Sequence, residues 1–209
     1  GADILSQLGW SEKRFLDESV PVLIQLLHDP VANVIRSAAI ALGHRNDPRA
    51  IPTLLTLINH PSASVRYGVV AGLSNHDDPD AVTGLIALSG DPDDAIRDWA
   101  TFGLGTMTTL DTPALRDALV ARLTDTDPET RGEAMIGLAR RQDDRARPAI
   151  EAALRGAFHG DWPLEAVELL ACPDWIHLLE THRQTLDAED ATRFTHSFDA
   201  ALDACRQSH

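Results

Sequence analysis

Residues 91–105, DPDDAIRDWATFGLG, decide the fold, because the chain writes the same phrase three more times. The other copies are DPVANVIRSAAIALG from Asp29, HPSASVRYGVVAGLS from His60 and DTDPETRGEAMIGLA from Asp125. They start 31, 31 and 34 residues apart. Repetition at such a period marks a solenoid of stacked helix pairs, in which each unit buries its apolar face against its neighbours.

The copies align on the slot held by Ile35, Arg66, Arg97 and Arg131. One residue before the slot stand Val34, Val65, Ile96 and Thr130. Three after it come Ala38, Val69, Ala100 and Ala134, and seven after it Leu42, Leu73, Leu104 and Leu138. Those offsets fall on one face of a helix, and the small residues let a second helix approach closely. The opening acids Asp29, Asp91 and Asp125 are expected to cap these helices, with His60 departing from the rule. Between the copies a second helical pattern runs over residues 19–28, 47–58, 78–88, 112–123 and 144–154, usually opened by a capping residue and an early proline or alanine. Short links rich in Asn, Asp and Gly make successive helices antiparallel neighbours.

This pattern, D-P-x-x-x-V-R-x-x-A-x-x-A-L-G followed by a D-P-R-A-x-P-x-L helix, resembles HEAT repeats. More closely it resembles the short bacterial class called phycobilisome-lyase HEAT-like repeats, and the likeness covers roughly 19–155. The stretches Ile96–Gly103 and Arg131–Leu138 are similar to a small bacterial branch that includes the HEAT-like protein encoded beside Rhs toxin elements. The resemblance implies an all-α right-handed superhelix of about five to six antiparallel helix pairs, with a protein-binding role of immunity or scaffold type.

The whole chain, 1–209, reads as one array. Residues 1–18 are an N-terminal cap or remnant, 19–155 regular repeats, and 156–209 degenerate repeats ending in a cap. In that last part WPLEAVELLA (162–171) and DWIHLLETHRQTL (174–186) continue the alternation. AEDATRFTHSFDAALDAC (188–205) reads as one final amphipathic helix with Phe194, Phe198, Ala201, Leu202 and Cys205 on its apolar face.

The net charge of -14 opposes a phosphate-tracking surface, so no nucleic-acid partner is expected. Acids and bases number 13 and 7 over 1–110, 9 and 8 over 111–155, and 10 and 3 over 156–209, which reads either as a device for solubility or as a surface for a basic partner. No apolar run reaches the length of a membrane span and no secretory signal opens the chain, so neither a membrane partner nor export is expected. Cys172 and Cys205 read as free thiols of a cytoplasmic protein.

Offsets +1, +2 and +5 from the slot lie opposite the core face, on the side that HEAT arrays make concave. There Tyr67, Asp98, Trp99, Phe102 and Glu133 form the candidate partner-binding stripe. Trp99 and Phe102, three apart, are neighbours on the helix surface. They either anchor a partner or pack between adjacent helices. Arg66, Arg97 and Arg131 are expected to pair with acids such as Asp91 or Asp125 in a ladder between repeats. Arg140, Arg141, Arg145 and Arg147 surround Asp143 and Asp144 in a turn that either neutralises itself or contacts an anion or acidic peptide.

Nine histidines raise the question of a metal. His28, His44, His60 and His76 recur at alternate ends of the stack and do not converge, and neither H-E-x-x-H nor CxxC is present. Phosphate loops and a nucleophile elbow are also missing. The expectation is therefore no catalytic residue, cofactor or metal. The enzyme alternative is a bilin-lyase-like or DNA-glycosylase-like site on the same concave face.

Overall fold

The structure, a computed structural model, describes residues 15–156 and 161–208. Thirteen α-helices and no strand occur among them. The N-terminal cap expected over 1–18 lies, as far as residue 14, outside the described residues.

The chain groups into two compact units, Gly1–Ala118 and Leu119–His209. In the first, α1 (Leu16–Leu26) packs on α2 (Ala32–Arg45), α2 on α4 (Ala63–Leu73), and α4 on α6 (Asp94–Phe102). The alternating partners α3 (Ile51–Leu55) and α5 (Pro79–Leu88) pack on each other and on that row. Helix α7 (Pro113–Arg122) carries the unit boundary. In the second unit α8 (Pro128–Arg140) packs on α10 (Trp162–Leu170), and α10 on α13 (Thr195–Gln207). Helices α9 (Arg147–Arg155), α11 (Ile176–Thr185) and the short α12 (Ala188–Arg193) complete it.

The core face lies where the phrase places it, except at the -1 offset of the first copy, where Val34 is half-buried and the slot residue Ile35 is buried instead, while Val65, Ile96 and Thr130 are buried. All of Ala38, Val69, Ala100, Ala134, Leu42, Leu73, Leu104 and Leu138 are fully buried, as are the outer apolar positions Leu54, Leu85, Leu119 and Leu154. Close packing asks for glycine at Gly43, whose Cβ would meet the backbone carbonyl of Ala71 on α4.

The opening residues do something other than cap. The true N-caps stand two residues later, at Val31, Ser62, Asp93 and Asp127. Asp29 Oδ1 accepts the Val31 N–H at 2.8 Å, Asp91 Oδ1 that of Asp93 at 3.0 Å, and Asp125 Oδ1 that of Asp127 at 3.1 Å. These are turns closed by a side chain ahead of the helix. His60 fits the same device, since its Nδ1 accepts the Ser62 N–H at 3.1 Å.

Two expected helices are broken by proline chemistry. Over 47–58 a 3-10 turn, Pro48–Ala50, precedes α3, and over 144–154 the 3-10 turn Asp144–Ala146 precedes α9. Pro52 and Pro148 tolerate only a first turn, so each restarts the helix. The three extra residues before Asp125 fall after α6, where a π-turn, Gly103–Met107, runs into a loop. Asp77 holds that loop by accepting bonds from Thr108 Oγ1, Thr109 N and Thr109 Oγ1 at 2.7–2.8 Å, and these hold its carboxyl below the usual range. The expected final helix is two, α12 and α13, bent at Phe194, yet its five apolar residues are all buried. Cys172 and Cys205 are free thiols, and burial pushes Cys205 up to about 11.

Candidate functional site

Three of the five stripe residues meet in the first unit. Helix α4 carries Tyr67, and α6 carries Trp99 and Phe102. The Trp99 ring stands edge-to-face against Tyr67, with centroids 6.1 Å apart, and against Phe102 at 5.8 Å. Such edge-on pairs contribute about 0.5–1.5 kcal/mol each beyond the area they bury. The row therefore packs between neighbouring helices and still presents a surface: Trp99, a bulky ring, remains 44% exposed. Arg36 on α2 extends the row by one repeat, its guanidinium 5.6 Å from the Tyr67 ring centre.

The row forms because of the repeat. Each copy places its +1 and +2 residues on the same side of its helix, and Val65, Ile96 and the alanines behind them fix each helix's rotation by burial. Asp93 caps α6 by accepting from the Ala95 and Ile96 amides. Asp94 and the half-buried Asp98 follow on the same helix, so the row is flanked by carboxylates.

Glu133, the fifth stripe residue, belongs to the second unit. Its Oε1 accepts the Trp162 indole N–H at 3.1 Å. Trp162 lies over Gly132, where a Cβ would meet the indole well inside contact distance. Glu133 thus positions Trp162 above α8. Sequence reasoning placed Trp162 only on a degenerate helix, and the paired signal was Gly132 at the slot that Tyr67 fills with an aromatic. A cavity of about 290 Å³ borders this contact, lined in part by Met135, Ala149, Ala153 and Trp162.

The slot arginines share one contact. Arg66, Arg97 and Arg131 each donate through Nη1 to the carbonyl of the residue six earlier, at 2.9, 3.0 and 2.7 Å. Each therefore ties its helix to the turn that opens its own copy. Arg66 also reaches the next copy, donating from Nε and Nη2 to both Asp91 oxygens at 2.6 and 2.9 Å. Burial pushes the Asp91 carboxyl up, but the Arg66 guanidinium and the Asp93 amide outweigh it and hold the carboxyl below its ordinary range. Arg97 pairs with Asp94 in its own helix at 2.6 Å.

The arginine cluster after α8 is engaged piece by piece. Arg145 forks onto Asp143, as Arg49 forks onto Asp47 at the equivalent turn. Arg140 pairs with Glu165, and Arg147 donates to Cys172 Sγ at 2.9 Å while lying over Trp175. Among the described residues no group of three or more His, Cys, Asp or Glu could hold a metal ion. Nor is any described helix long and apolar enough to cross a membrane.

Two sections of the chain, residues 20–105 and 82–171, match the family model of HEAT repeats and together span more than half of it. No curated protein matches in sequence. Among solved structures, the chain is similar to an archaeal HEAT-like repeats protein from Thermococcus onnurineus NA1, with a TM-score of 0.60 and 13% identity over 95% of this chain and 92% of that one. It is similar to YibA of Escherichia coli, with a TM-score of 0.55 and 21% identity over 95% and 86%. A designed armadillo repeat protein in complex with the peptide (KR)4 has a TM-score of 0.55 and 19% identity over 97% and 89%.

Proposed function

This chain belongs to the HEAT repeats, and from that premise we propose that it is a non-catalytic binding module presenting the Tyr67–Trp99–Phe102 row to a protein partner. One observation carries the reading. A tryptophan 44% exposed stands edge-on against two other rings instead of being tucked into the core. An aromatic anchor pre-set in this way loses little freedom on binding, and such anchors dominate interface energies. Asp93, Asp94 and Asp98 beside the row suit a partner with basic residues around its contact point. The similar designed armadillo protein, held in complex with (KR)4, supports a basic peptide as a ligand this class of fold accommodates. An immunity-type role is the finer form of this reading, and it requires that the captured partner be a toxin domain.

The test is affinity capture from native lysate with the wild type beside a Trp99→Ala/Phe102→Ala variant whose fold is verified by circular dichroism. The reading predicts one or a few proteins held by the wild type and lost by the variant. The same proteins retained by both would move the site away from the row. Capture of none by either would favour the enzyme alternative.

A further inference from the structure

We infer that the partner segment carries an acidic side chain a few residues from the group that covers Trp99, and that Arg36, Ser64 and Tyr67 receive its carboxylate. The inference rests on the aromatic-row reading above and adds the polarity of the bound segment. At the +1 slot the first three copies hold Arg36, Tyr67 and Asp98, a cation, a ring and an anion one repeat apart. A pocket of about 280 Å³ opens beside the row, with Arg36, Ser64, Tyr67 and Asp93 in its walls and Ile96 also lining it.

Three donors there are uncommitted. Arg36 is exposed, and among the described residues its one contact is the Tyr67 ring face, which leaves its N–H groups available. Neither the Ser64 nor the Tyr67 hydroxyl has a hydrogen-bond partner among the described residues. Among the described residues most arginines donate to a carboxylate or a carbonyl, whereas Arg36, like Arg193 over Phe194, is exposed with a ring as its neighbour and no ion pair. A guanidinium and two hydroxyls lining one pocket offer the kind of donors that a carboxylate accepts. Asp93 in the same wall disfavours a doubly charged phosphate, so the singly charged carboxylate is the better occupant.

The spacing is set by the row. Arg36 lies 5.6 Å from the Tyr67 ring centre and Tyr67 6.1 Å from that of Trp99. The two legs together bound the span, so an extended segment advancing about 3.3 Å per residue covers it in at most roughly four residues. A partner with its acid at one end and its basic or aromatic residue at the other would bind in one direction only.

The experiment is selection of random dodecapeptides displayed on phage against the wild-type chain, keeping those lost on Trp99→Ala. The selected peptides are expected to share an Asp or Glu within about four residues of their most enriched basic or aromatic position. Arg36→Glu, a surface change, is expected to weaken them about fivefold to tenfold and to select Lys or Arg at that position instead. Tyr67→Phe keeps the ring and is expected to weaken the acidic preference alone. Peptides that depend on Trp99 but show no acidic position, or are indifferent to Arg36→Glu, would overturn the inference and leave the row intact. A selection with no Trp99-dependent peptide would defeat the row itself, and this inference with it.

Discussion

A single pair, Arg66 and Asp91, carries the clearest residue-level consequence. Their side chains are 12% and 5% exposed and joined by two short bonds, so removing one charge strands the other in a poorly solvated place. Asp91→Asn is expected to cost about 2–3 kcal/mol at pH 7 by thermal melting. Because folding holds the Asp91 carboxyl below its ordinary value, its contribution is complete above the unfolded value of about 3.9 and fades as pH falls through the folded one. The gap between wild type and variant should therefore be constant above about pH 5 and narrow progressively as the pH falls below about 4; a gap that stays constant or widens on acidification would deny the ion pair. Gly132→Ala drives a methyl into Trp162 and is expected to cost about 1–3 kcal/mol, with a change in tryptophan fluorescence. The rung from Arg66 to Asp91 was legible as a slot arginine and a recurring acid. The bond from each slot arginine back to a carbonyl six residues earlier was not, because a backbone acceptor leaves no mark in side-chain pattern. His60 shows the same blindness: an acid was expected there, and a ring nitrogen accepts the same amide.

Among the elements, the row α2, α4, α6 and the face it buries were written plainly in the phrase, since alanine and leucine at fixed offsets admit one helix rotation. The interruptions were harder to read. Proline at 52 and 148 marks a first turn, but nothing local says that the preceding turn tightens to a 3-10 helix. The bend at Phe194 divides a sequence whose apolar spacing is continuous, and the spacing held while the axis did not. Helix links also contain strain. Asn46, Gln142 and Ala171 follow α2, α8 and α10 with positive φ of 50°, 52° and 49°. Asparagine tolerates that conformation and alanine does not. Ala171→Gly is expected to stabilise the fold by about 1 kcal/mol, or some 2–4 °C in Tm, and a fall in Tm would show that the freed backbone costs more than the relieved strain.

For the whole molecule, period and charge together made the class readable and the partner unreadable. A solenoid's surface is assembled from residues one repeat apart, so Tyr67 and Trp99 meet only because two copies stack, and the phrase announces the stacking. Glu133 sits at the matching position of a later copy and is instead engaged by Trp162, which arrives from a part of the chain where the phrase has decayed. The acidic excess makes capture of a basic partner salt-sensitive, and retention should fall when ionic strength rises from about 0.05 to 0.5 M. The most direct test of the binding reading is amide hydrogen exchange of the chain with and without its captured partner. Protection is expected to concentrate in Ala63–Leu73 and Asp94–Phe102, the helices that carry the row. Protection confined to other helices, with these two unchanged, would contradict it.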